Sequence, residues 1–291
     1  MPKKSKKATP SKREVYVVRA DLKRAKAAKA TEPFTITVVF LGGLSTAQKN
    51  AFKAAANRWS KVIVGDLPDV VVNGQVIDDV LIEASGVAID GPGGILGQAG
   101  PTHLRPASAG AAAFIPAKGR MQFDTADLAS MQAKGTLNDV ITHEMGHVIG
   151  IGTIWTNKRL LKGVRTHNPT FHGANAMREY GKLRGSATPL PVPVENKGGE
   201  GTVDSHWRDT VFGAELMTGF VNEGGNPMSR LTIASLQDLG YEVNMDVAQP
   251  YHLPNHLHMA EAGLAAAHDE KPRGIVLPRI PITLPDESLE P

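Results

Sequence analysis

Residues 142–153 read THEMGHVIGIGT, and the reading of this stretch decides the rest of the chain. Around it Leu137, Val140, Ile141, Met145, Val148 and Ile149 recur with helical spacing, Thr136 with Asp139 resembles a capping box, and Gly150 and Gly152 supply a stop. A helix is therefore expected. On a helix, positions four apart lie one turn apart on the same face, so His143 and His147 can direct ring nitrogens at one metal ion, with Glu144 beside them. A buried carboxylate between two histidines is costly without an ion or a partner, which argues against two unrelated histidines. The arrangement suits Zn2+: neutral imidazoles anchor the ion, an open position takes water whose pKa falls toward about 7, and Glu144 takes its proton as general base.

Two imidazoles leave such a site incomplete. Gly150 permits the chain to leave the helix sharply and to return a third ligand from further on. From the residues alone His167, His172 and His206 all remain open as that ligand.

Composition narrows the setting. The chain has 291 residues, 41% of them hydrophobic, enough for one sizeable core. It holds no cysteine, so a metal site must use His, Asp or Glu, and disulfide and thiol chemistry are excluded. No apolar run approaches the roughly 20 residues of a membrane span, and MPKKSKKATPSKRE is charged without the apolar core of a secretory signal. A classical signal peptide is thus not expected, which leaves a cytoplasmic location or export by another route. Residues 1–32 carry 11 Lys and Arg against 3 Asp and Glu, so the remainder is mildly acidic. This basic arm could touch nucleic acid or an anionic surface, but a solvated tail is the simpler expectation. The same holds for His252, His256 and His258 in HLPNHLHM.

Outward from the metal helix, FTITVVFLGG (34–43) reads as a buried strand. LSTAQKNAFKAAANRWSKVIVG reads as a capped amphipathic helix with Ala51, Phe52, Ala55, Trp59 and Val62 on one face. Asn73-Gly74 marks a hairpin turn and VLIEASG a second core strand. DGPGGILGQAGPTHLRPASAGAAAFIPAKG is expected to be largely irregular, GRMQFDTADL a short rim strand against which a substrate backbone could pair, and 153–205 loop-like. SRLTIASLQDL reads as a helix between Ser229 and Gly240, and the proline-bearing segment 251–291 as a tail.

The string His143, Glu144, His147, Gly150 spells HExxHxxG and resembles the metzincin clan of zinc proteases, in which the third histidine usually stands where this chain has Thr153. HEMGHVIGIGTIW (143–155), FHGANA (171–176), PVENKGGEGTVDSHWRDTVFGAELMTG (193–219) and NPMSRLTIASLQDLGYEVN (226–244) resemble, in order, the leishmanolysin branch, where a long insertion precedes that ligand. The resemblance extends over roughly 34–250. It implies an α+β fold with a mixed sheet and long helices in an upper lobe (34–152), an insertion (153–205), and a smaller irregular lower lobe (206–250) with a Met-turn. Residues 1–33 would be an extension and 251–291 a tail. It further implies Zn2+ held by His143, His147 and His206, Glu144 as general base, Met217 as an apolar floor and a polypeptide substrate. With no cysteine, the chain cannot carry the cysteine-based latency of many relatives. The other reading is a silent adhesion or binding module that keeps the fold.

Overall fold

The computed structural model describes residues 13–91, 93, 96–199, 201–219, 225–255 and 280–290. Its frame is a six-stranded mixed sheet. In chain order the strands are β1 (Glu14–Arg19), β2 (Thr35–Gly42), β5 (Val80–Val87), β6 (Gly97–Leu104), β7 (Pro116–Asp124) and β11 (Ile282–Thr283). In space they run β1-β2-β5-β7-β6-β11, with β2, β5 and β7 parallel and β1 and β6 antiparallel to their neighbours β2 and β7. β3 (Val70–Val72) and β4 (Gln75–Ile77) form the hairpin marked by Asn73-Gly74, both at positive φ as a tight primed turn demands.

One face of this sheet carries two helices. α2 (Thr46–Val62) begins with a capping box in which Ser45 and Gln48 satisfy each other's backbone amides, and it buries Ala51, Phe52, Ala55, Trp59 and Val62. α4 (Leu137–Val148) holds the histidine motif and is buried continuously from Val140 to Val148. The Trp59 indole donates to the Thr142 carbonyl at 2.9 Å, tying the two helices together. Beneath α4, a Cβ built on Gly119 of β7 would stand 2.3 Å from Val148, so the helix rests directly on the strand backbone. Beyond α4 lie β8 (Leu161–Lys162), β9 (Thr170–Phe171) and β10 (Val192–Pro193) as a small second sheet, with α5 (Ala174–Leu183), α6 (Asp209–Phe212) and α7 (Arg230–Leu239). α7 starts at Ser229, whose side chain accepts from Thr232, and closes at Gly240.

Several expectations are corrected. The folded unit starts before residue 34: β1 pairs along its whole length with β2, and α1 (Leu22–Ala27) follows it. Tyr16 and Val18 pack on the core, and Arg24 bonds Asn244 and Asp246, so charge there serves the fold. Residues 1–12, His256 and His258 lie outside the described residues. At the other end, residues 282–283 extend the sheet and Leu284 is buried. GRMQFDT is no rim: β7 is hydrogen-bonded on both sides and has no free edge for a substrate strand. The Gly/Pro-rich stretch contains β6, where Gly97 is needed because a side chain would meet Gln122 and Phe123. TADL opens α3 (Thr125–Lys134), capped by Asp124. Thr136 precedes α4 but makes no capping bond with its side chain. Among the described residues no helix is long and apolar enough to cross a membrane.

Candidate metal centre

The three imidazoles converge. His143 Nε2 lies 3.0 Å from His147 Nε2 and 3.1 Å from His206 Nε2, and the last two are 2.9 Å apart. All three rings are buried. Each turns its other nitrogen to a main-chain carbonyl: His143 Nδ1 to Leu216 at 2.6 Å, His147 Nδ1 to Ile151 at 2.9 Å, and His206 Nδ1 to Thr202 at 3.1 Å, with the Ser205 hydroxyl also at 3.0 Å from the last. A carbonyl can only accept, so each Nδ1 carries the proton and each Nε2 presents a lone pair. Three lone pairs facing one another at 3 Å have no proton to share. They fit a cation, and an ion at the roughly 2.0–2.1 Å of zinc–imidazole bonds can reach all three. Burial holds His143 down at about 4 and His206 at about 3, and pushes His147 well below its usual range, so the rings stay neutral as metal ligands must.

Glu144 lies beside the three rings. It is buried, one oxygen stands 3.8 Å from His143 Nε2, and the other has no hydrogen-bond partner. Burial raises its pKa well above the usual carboxylate value. A buried carboxylate with an idle oxygen beside three lone pairs is what a cation and a polar substrate would satisfy.

His206 reaches the helix by a chain of close contacts. Gly150 and Gly152 follow α4, and at Gly152 the backbone is left-handed (φ +77°), with the carbonyl of Ser205 2.0 Å from where a Cβ would be. Only a glycine lets the exit of the helix lie against the residue preceding His206. Thr153 has a different duty: its hydroxyl donates to the His147 carbonyl at 2.8 Å, satisfying the end of the helix. Below, Trp155 stacks on Trp207 with ring centroids 4.8 Å apart, and Phe171 packs on both. The aromatic residues of three separated motifs thus close the intervening loop. Trp207 bridges to Val194 on one side and Thr218 on the other, and its amide donates to the Met217 carbonyl. This short ladder places the strand of His206 beside the 215–218 turn.

Met217 is fully buried and packs against the metal helix: a Cβ on Gly146 would stand 2.8 Å from its sulfur. The small residue inside HEMGH therefore makes room for Met217. Neither alternative histidine joins the centre. His167 is exposed, and His172 Nε2 meets Thr170 Oγ1 at 3.0 Å. The roles of Gly146, Gly152 and Thr153 escaped the sequence reading; only the smallness of the two glycines could have hinted at close approach.

The family model for leishmanolysin matches residues 111–256, half of the chain and all of the centre. A leishmanolysin-like peptidase of Caenorhabditis briggsae is 43% identical over 81 residues, 26% of this chain and 11% of that protein. Its counterpart in Caenorhabditis elegans is 42% identical over the same length. A leishmanolysin homolog of Crithidia fasciculata is 32% identical over 108 residues, covering 35% of this chain and 16% of its own. The matched part is thus a small fraction of each relative's length. Taken with the HExxHxxG helix and the distant third histidine that the structure brings to it, the match makes this chain a member of the leishmanolysin family.

Proposed function

We propose that the chain is a zinc-dependent endopeptidase. The observation that carries this is the convergence of three imidazole lone pairs on one point beside a buried carboxylate. His143, His147 and His206 would hold the zinc; when bound it lowers the pKa of a coordinated water toward about 7 and polarises a carbonyl oxygen. Glu144 accepts the proton of the attacking water and passes it to the leaving amine nitrogen. Its buried place beside the rings, with one oxygen free of hydrogen bonds, suits a group that takes and gives a proton. The main-chain carbonyls of Leu216, Ile151 and Thr202 hold the rings in the tautomer that ligation requires. Met217, packed on Gly146, fits the Met-turn of metzincins: an apolar floor that keeps water from the underside of the rings.

The test is zinc content and casein hydrolysis for the parent chain and Glu144→Gln. Stoichiometric zinc in both, with turnover down about 10²–10⁴-fold in the variant, is the expected result. Hydrolysis by Glu144→Gln at the parent rate would overturn the mechanism. Stoichiometric zinc without turnover in the parent would favour a binding module.

A further inference from the structure

One fully buried carboxylate has no part in the reaction above. Glu215 has no exposed surface, and among the described residues no Lys, Arg or His nitrogen lies within 4 Å of its oxygens. Its oxygens are met by four donors, with the Arg58 guanidinium acting on it from further away. Oε2 accepts from the Met217 amide at 2.7 Å; Oε1 accepts from the Ser229 amide at 3.0 Å, the Ser229 hydroxyl at 2.7 Å and the Thr232 hydroxyl at 2.6 Å. The carboxylate thereby pins the 215–218 turn to the first turn of α7.

Three parts of the metal centre hang from this point. The Met217 amide and the carbonyl of Leu216 flank one peptide unit, and that carbonyl holds the His143 ring. Met217 itself packs on Gly146. Thr232 Oγ1 also receives the indole N–H of Trp207, the residue next to His206, at 2.8 Å. We propose that Glu215 is a positioning residue for the metal centre, holding the turn so that the Leu216 carbonyl meets His143 and Met217 meets Gly146. The inference rests on reading the three histidines as a metal site.

In Glu215→Gln, an amide that keeps its oxygen toward Ser229 and Thr232 turns its N–H toward the Met217 amide, so two donors face each other. Outer partners of this kind typically change metal affinity by roughly 10–100-fold. The experiment measures Zn2+ affinity of the full chain by competition with a chelator, and the visible absorption of the Co2+ form. Glu215→Gln should bind Zn2+ that much more weakly and shift the Co2+ bands. Asp124→Asn, another buried carboxylate satisfied by main-chain amides but in the turn before α3, should lose thermal stability with metal affinity unchanged. Should Glu215→Gln not fold, Thr232→Val removes one donor and the indole's acceptor, and should weaken Zn2+ several-fold. Parental affinity and an unshifted Co2+ spectrum in whichever variant folds would overturn the proposal, as would equal loss of affinity in Asp124→Asn. A parent chain that binds no Zn2+ would instead overturn the metal reading beneath it.

Discussion

The two sides of the centre are held by different physics. His143 and His147 stand on α4, a helix buried from Val140 to Val148 and fixed by apolar contact with α2 and β7. His206 stands in a stretch whose regular structure is two residues of β10 and four of α6. That stretch is fixed by polar groups, buried at Glu195 and Glu215 and half-buried at Arg208. Glu195 accepts the amides of Asn196, Lys197 and Asp209; Arg208 donates to the carbonyls of Val194 and Pro169; Glu215 accepts the amide of Met217. An apolar interface tolerates a small change of shape. A buried carboxylate stripped of its donors loses the full compensation for its desolvation, so the imidazole on the irregular side is the more fragile.

The sharpest way to break this contrast is at the seam between the two sides. Gly152→Ala puts a Cβ 2.0 Å from the Ser205 carbonyl at a left-handed position. The left-handed strain costs about 1–2 kcal/mol and the forced shift about 1–3 kcal/mol. Chemical denaturation should show their sum, with Zn2+ affinity falling because Ser205 moves His206.

Next in size is a pH effect on the metal-free protein. The three histidines have folded pKa values below the ordinary 6.5, so their contribution is intact above that value and is lost as pH falls toward about 4 and then 3. Burial also raises Glu144, Glu215, Asp238 and Asp79, the last to about 9, and these carboxyls act in the opposite sense as pH rises above their ordinary values. The histidine share is the difference between the parent and His206→Ala: the parent's urea midpoint should drop more steeply between pH 6.5 and 4.5, by up to about 1.4 kcal/mol per pH unit for the histidine removed. Added Zn2+ should steepen this fall, because protons and metal compete for the same nitrogens. Parallel profiles would mean that this ring titrates as if exposed.

Smaller effects compare the sides directly. Gly146→Ala crowds the sulfur of Met217, the movable end of a flexible side chain, and should cost about 1–3 kcal/mol in thermal unfolding. Thr153→Val removes the hydroxyl at the end of α4 and should cost about 1 kcal/mol while leaving Zn2+ affinity near the parent's, since it belongs to the packed side. A larger loss of metal in Thr153→Val than in Gly152→Ala would invert the comparison.

The packed side was legible in the sequence and the irregular side was not, for the same reason. α2 and α7 announce themselves by period and caps, α4 by its period alone, and Asn73-Gly74 announces its hairpin. The spacing of His143 and His147 is a helical fact. His206 lies 59 residues from His147, and no local rule links them; the choice over His167 and His172 came from the family resemblance. β6 was hidden because close strand approach selects Gly97, a residue that otherwise marks loops. β1 was hidden because Glu14 and Arg19 read as part of a charged tail, although only one face of an edge strand needs to be apolar. α5 was hidden in the 153–205 loop, held to α7 by Asp238 accepting the amides of Asn175 and Ala176.

The carbonyls that hold the three rings have a consequence for how this centre can drift. Where a histidine is steered by an aspartate, one codon change removes the steering. Here the acceptors at Leu216, Ile151 and Thr202 belong to the main chain, which every amino acid supplies. Leu216 and Ile151 are buried in the core, so another apolar side chain of similar volume there keeps the backbone path and the acceptor. Sequence variation should therefore be better tolerated at the acceptors than at Gly152, which shapes the path that brings His206 back to the helix.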